Sequence, residues 1–152
     1  MRRFLVAILM IAASSAGAEY VFDEKFRLSE TENIAVALMD KATGACWTNL
    51  REVREYAEEK LKIKGAKIDN DIVATGKATY TFNILVSAKR VYANGTGPCA
   101  GVISVDLHSW DFGNGILHRS AVGVAMNQSI STNNLNRSVI ETVGQLINNF
   151  KK

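Results

Sequence analysis

The residues with the clearest capacity for chemistry are two cysteines, Cys46 and Cys99, and two histidines, His108 and His118. A thiolate with an imidazole base in hydrogen-bond reach makes a nucleophile, and a nearby helix N-terminus lowers the thiol pKa. Cys46 meets part of that description, since it stands in "GACWTNLREVREYAEEKL" just ahead of a helical pattern. The histidines do not complete it. Cys99 and His108 are nine residues apart on one extended segment, about 30 Å at the rise of a strand, which rules out direct pairing. A C-x-x-C redox motif and a zinc-type Cys/His cluster are both absent from the sequence.

A disulfide accounts for the same two residues better. The even count fits an oxidising compartment, and Cys99 falls on the core-facing parity of its strand with Ile103 and Val105. Joining Cys46 to Cys99 closes a long loop and stabilises by about 4 kcal/mol in the chain-entropy model. The expected role of both cysteines is a staple between the first helix and the sheet. Trp47 is then an apolar neighbour of that junction.

A second cluster gathers at a hairpin. If Asn114-Gly115 is a two-residue turn, Asp111 faces His118 on one side of the sheet and Trp110 faces Arg119 on the other. The first pair, with Asp106 and His108, has the makings of a small hydrolase's acid–base site, or of a local ion pair. The second pair offers cation–π packing or the aromatic anchor of a binding patch. With no nucleophile in the pattern, the expectation is a binding patch at Trp110, Arg119, Asp111 and His118, and the hydrolase is the alternative. No phosphate-binding loop, calcium loop or metal-ligand spacing occurs, so neither cofactor nor metal is expected. Three sequons, at Asn94, Asn127 and Asn136, are short enough to arise by chance in an Asn-rich chain.

The elements that must position these residues follow from periodicity. After a short variable lead, residues 33–40 ("NIAVALMD") form a compact apolar run that reads as a buried strand. Asn49 with Glu52 is a capping-box pair, and Leu50, Val53, Ala57 and Leu61 make the apolar stripe of a helix that stops at Gly65. Its mixed charges are those of a solvated helix face. "GAKIDNDI" reads as a short peripheral strand. Residues 79–91 alternate, with Tyr80, Phe82, Ile84, Val86 and Ala88 facing the core.

Two Asn-Gly turns then order the following strands. The turn at Asn94-Gly95 sets Val86 against Ile103 and Ile84 against Val105; Pro98 makes that loop looser than a minimal turn. The turn at Asn114-Gly115 sets Leu107 against Val122, Val105 against Val124 and Ile103 against Met126. Leu135, Val139, Val143, Leu146 and Phe150 close the chain at helical spacing. The expected fold is a single α+β two-layer domain: an antiparallel sheet of about four to five strands covered by two helices, in the order β-α-β-β-β-β-α.

The first residues, "MRRFLVAILMIAASSAGAEY", run from basic to apolar to an A-x-A end, which predicts a signal peptide over 1–18 and a mature domain over 19–152. The apolar run is too short for a membrane span, and Glu19 stands where a lipoprotein would carry cysteine, so neither a span nor a lipid anchor is expected. Cleavage removes two of the 18 basic residues and none of the 15 acidic ones, leaving 16 against 15, or +1. That balance offers no electrostatic basis for nucleic-acid binding.

The element order resembles that of small domains in bacterial envelope assemblies, such as the first domain of the Tol-system propeller protein and the curli secretion lipoprotein. The resemblance implies contact with another protein or envelope component. Taken together, the sequence predicts an exported, periplasmic or secreted, disulfide-stapled binding or structural module.

Overall fold

The computed structural model describes residues 19–22, 26–31, 33–71, 79–113 and 116–151, with backbone alone at 19–22, 30, 79, 111–113, 116–119 and 128–131. The predicted signal peptide and the Asn114-Gly115 turn lie outside the described residues. One five-stranded sheet carries the strands in the order β1-β5-β4-β3-β2: β1 Glu19–Phe22, β2 Ile34–Asp40, β3 Thr79–Arg90, β4 Cys99–Gly113 and β5 Ile116–Thr132. Helix α1, Leu50–Ile63, connects β2 to β3, and helix α2, Asn136–Asn149, follows β5. This is the α+β single domain expected from the sequence.

Three details differ from the expectation. β2 pairs with β3 in parallel, so the sheet is mixed. The reason is α1: a helical crossover returns the chain in its starting direction, whereas a tight hairpin would reverse it. The lead contributes an edge strand, since Glu19–Phe22 pairs antiparallel with Gly123–Met126 of β5; four residues are too few for periodicity to reveal. The peripheral strand expected in "GAKIDNDI" is present as one parallel bridge, Ile34 to Ile68.

Registers decide which residues share a face. The β3–β4 pairing is the predicted one, with Val86 opposite Ile103 and Ile84 opposite Val105. The β4–β5 pairing follows the two-residue-turn register from the tip as far as His108 opposite Ala121, then slips by one so that Leu107 faces Gly123. Val122 is the extra residue of a β-bulge, buried at 8% exposure. In consequence Val105 faces Ala125 and Ile103 faces Asn127, in place of the predicted Val124 and Met126. Ala125 is buried, and Met126 is 44% exposed.

The core lies between the helices and one face of the sheet. Val53, Ala57 and Leu61 from α1, and Val139, Val143 and Leu146 from α2, meet Phe82, Ile84, Val86, Ile103, Val105 and Leu107. These are the stripes predicted from spacing, and burying each large side chain is worth about 1.5–3 kcal/mol. Neither helix start has a side-chain cap. The Asn49 side chain caps no backbone N–H; its Nδ2 donates to Glu52 Oε2 at 3.0 Å, so the predicted pair meets side chain to side chain. At the other end Lys64 Nζ donates to the carbonyls of Asn148 and Phe150, both at 3.0 Å, so the tail of α1 caps the tail of α2.

Candidate functional site

Three places carry the sequence-predicted site residues: the disulfide junction, the sheet face away from the helices, and the outer part of the β4–β5 hairpin. At the junction, Cys46 and Cys99 form the expected disulfide, with a Cα–Cα distance of 5.6 Å. Both are fully buried. The surrounding loops are tied to each other as well. Leu135 N–H donates to Cys46 O at 2.7 Å, Thr48 N–H to Asn136 Oδ1 at 3.0 Å, and Asn136 Nδ2 to Thr48 Oγ1 at 2.9 Å. The starts of both helices therefore meet at the staple. Trp47 is buried beside it, as expected, with an indole N–H that finds no partner among the described residues.

Arg90, the last residue of β3, completes this junction. Its Nε donates to Gly44 O, and its Nη1 donates to both Gly97 O and Asn133 O, each at 2.8 Å. One guanidinium thus joins three loops. Hydrogen bonds from a charged donor are the stronger kind, which suits a residue holding loops that lack strand pairing of their own.

The sheet face away from the helices carries a polar network. Pleating puts Ser104, Asp106, His108 and Trp110 of β4 on that face, with Thr81 and Asn83 of β3 across from them. Asp106 Oδ1 pairs with His108 Nδ1, and each side chain is only 13% exposed. Asn83 Nδ2 donates to Asp106 Oδ1 at 2.7 Å and lies 3.4 Å from His108 Nδ1. Trp110 Nε1 donates to Thr81 Oγ1 at 3.0 Å, laying the indole toward β3. The structure therefore brings Asp106 and His108 together, two of the four residues expected near a hydrolase site.

Asp111 is opposite His118, and Trp110 opposite Arg119, in the register predicted from the sequence. The side chains of Asp111, His118 and Arg119 lie outside the described part of the structure. Sequence reading missed Asn83 and Thr81 as members of the network. The signal was available in the Asn94-Gly95 register, which places Asn83 opposite Asp106. What an alternating pattern does not reveal is which wet-face residues will bond to one another.

The hairpin itself has an unusual reach. The last β3 pair is Thr79 with Trp110, and the last β1 pair is Phe22 with Gly123. Among the described residues, 111–113 and 116–122 are paired only within the hairpin. It is, among the described residues, a two-stranded arm beyond the five-stranded body, and a two-stranded ribbon alone is marginally stable in water. β5 also runs past β1 at its other end, where 127–132 have no outer partner among the described residues.

Chemically, the Asp–His–Asn network holds an imidazole in one orientation. A nucleophile for hydrolysis is a separate requirement. No group of three or more His, Cys, Asp or Glu side chains suited to a metal occurs among the described residues. No helix there is long and apolar enough to cross a membrane.

No family model and no curated protein matches the chain. Among solved structures it is similar to the PelC dodecamer from Paraburkholderia phytofirmans, with a TM-score of 0.51 at 12% identity over 90% of this chain and 99% of that one. A point variant of the same dodecamer gives a TM-score of 0.51 at 12% identity, over 86% of this chain and 95% of that one. At this identity the likeness concerns the fold.

Proposed function

We propose that the chain is an exported binding module, cleaved after Ala18, which assembles with copies of itself through the β4–β5 arm and the outer edge of β5. The observation that carries this reading is the arm, a ribbon of two strands that among the described residues extends beyond both neighbours. Its sequence, "WDFGNGIL" over residues 110–117, carries four large apolar residues, two of them aromatic. A two-stranded ribbon of that composition gains stability when a partner packs on it. The uncovered stretches of β5 offer backbone donors and acceptors to a strand from a neighbour.

A second copy is the occupant that best fits these features. The chain is similar in fold to PelC, a dodecamer, along almost the whole of that protein. The near-neutral mature charge lets like molecules approach without strong mutual repulsion. Trp110 and Arg119, opposite each other near the root of the arm, are the residue types that anchor interfaces. The disulfide and the signal sequence support export to an oxidising compartment.

The test is the mass of the oxidised 19–152 protein by light scattering across a concentration series. An integral multiple of the protomer mass is expected, and the Trp110→Ala, Arg119→Ala double variant is expected to lower it. A wild-type monomer at every concentration up to about 100 μM overturns the reading, since a biological interface of ordinary size holds well below that.

The contact between Asp106 and His108 favours one alternative, a small hydrolase using that pair with Asp111 and His118. The two readings separate on His108→Ala with His118→Ala: assembly persists if the module reading holds. Hydrolysis of a generic ester by wild type, lost in that variant, would establish the enzyme.

A further inference from the structure

The end of the molecule opposite the arm holds a feature that assembly through the arm leaves unused. A cavity of about 380 Å³ opens between the loop after β2 and the β3–β4 loop, lined by Thr43, Gly44, Lys89, Arg90, Tyr92 and Gly95, among others. Its charge is one-sided. No Asp or Glu occurs in residues 41–51, 87–105 or 125–140, the stretches that build this end. The nearest acidic side chain along the chain is Asp40, whose Oδ1 accepts the Ala42 N–H at 2.8 Å. Lys89 is exposed and has no ion pair or side-chain hydrogen bond among the described residues.

Two glycines shape the lining. A Cβ on Gly44 would lie 2.8 Å from Arg90 Cγ, so the absence of a side chain lets the arginine stem pass over the backbone. A Cβ on Gly97 would lie 2.5 Å from Tyr92 Cδ2, so the Tyr92 ring rests on the Gly97 backbone. Both glycines have positive φ, 64° and 84°, which L side chains rarely adopt. Tyr92 remains 59% exposed despite that support. The guanidinium is equally fixed: Nε and Nη1 are committed to three carbonyls, which leaves the two Nη2 hydrogens without an acceptor among the described residues. An aromatic plate, an oriented guanidinium edge and a free ammonium therefore line one cavity without a carboxylate to neutralise them.

The geometry points to a binding site for an oxyanion, a carboxylate or a phosphate, carried on a flat ring. The oxyanion takes charge-assisted hydrogen bonds from Arg90 Nη2, the ring lies on Tyr92, and Lys89, which the pleat sends to the other face of β3, adds its positive charge at the rim. Because the Arg90 guanidinium is half-buried and already held by three carbonyls, little ordering of it is needed when the ligand arrives.

The test is an amide-shift NMR titration of the oxidised 19–152 protein with benzoate, phenyl phosphate, acetate and inorganic phosphate. Saturable shifts at Gly44, Ala93 and Gly95 are expected with the two ring-bearing probes, about tenfold tighter than with their ringless counterparts. Whichever of benzoate and phenyl phosphate binds tighter identifies the oxyanion. Lys89→Gln is expected to weaken every probe by about threefold, with Lys89→Arg restoring binding. Tyr92→Ala should abolish the preference for a ring and leave acetate and phosphate unchanged. Both side chains are exposed, so neither variant endangers the fold. Absence of saturable shifts, equal binding with and without the ring, or an unchanged Lys89→Gln titration would each overturn the proposal.

Discussion

The two ends of the sheet are built on opposite principles. At one end a disulfide, a three-carbonyl arginine clamp and reciprocal Thr48–Asn136 bonds lock the starts of both helices to the β3–β4 loop. At the other end β4 and β5 continue past their neighbours with only each other for support among the described residues. Locked loops keep a small cavity in shape, whereas an unsupported ribbon leaves its backbone and apolar residues available to a partner. The two proposals divide along this contrast, ligand recognition at the rigid pole and assembly at the arm, and it is open to attack from both sides.

The largest expected effect comes from cutting the staple. Replacing Cys46 and Cys99 together by Ala should cost about 4 kcal/mol in urea unfolding, the entropy of closing a loop of this length. A much smaller loss would mean that the other ties already hold the pole, and the contrast would weaken. Removing the clamp with Arg90→Met should cost about 2–3 kcal/mol, with amide-exchange protection falling around Gly44, Gly97 and Asn133 while the strands stay protected. On the open face, Asn83→Ala is expected to cost about 1–2 kcal/mol, because it strips a donor from the buried side of Asp106. Gly97→Ala should cost about 1 kcal/mol through its positive φ and displace the Tyr92 ring, read as a change in ring-proton shifts. The arm reverses the ranking: Trp110→Ala with Arg119→Ala should change protomer stability least, within about 1 kcal/mol in denaturant unfolding, and assembly most.

Much of this was legible in the chain. The helical stripes, the α+β class, the β3–β4 register and the Cys46–Cys99 partnership all follow from spacing and parity, because burial on one face enforces a strict period. The parallel partner of β3 was not, since the orientation of β2 depends on where the crossover helix packs, a tertiary matter. The bulge at Val122 escaped for a related reason: Val122, Val124 and Met126 alternate in apolar character just as an unbroken strand would, and nothing local marks an extra residue. For the candidate sites, Trp110 and the two acid–histidine pairs were visible as residue types. The Arg90 clamp and the cavity beside it were invisible, because their bonds run to backbone carbonyls that leave no trace in residue identity.

The position of the bulge has a bearing on symmetry. Val122 adjoins Gly123, the residue at which β1 stops, so the bend and added twist of a bulge fall at the root of the arm and act as its elbow. Subunits joined arm to body close into a ring only when the rotation between neighbours divides a full turn, and that rotation is inherited from the elbow. Deleting Val122 leaves the pairs His108–Ala121 and Leu107–Gly123 adjacent in a regular ladder, with every other partner unchanged. Such a chain would keep the arm and the edge of β5 and change the angle between them, so on the assembly proposed above the deletion of this one buried residue would change the number of subunits.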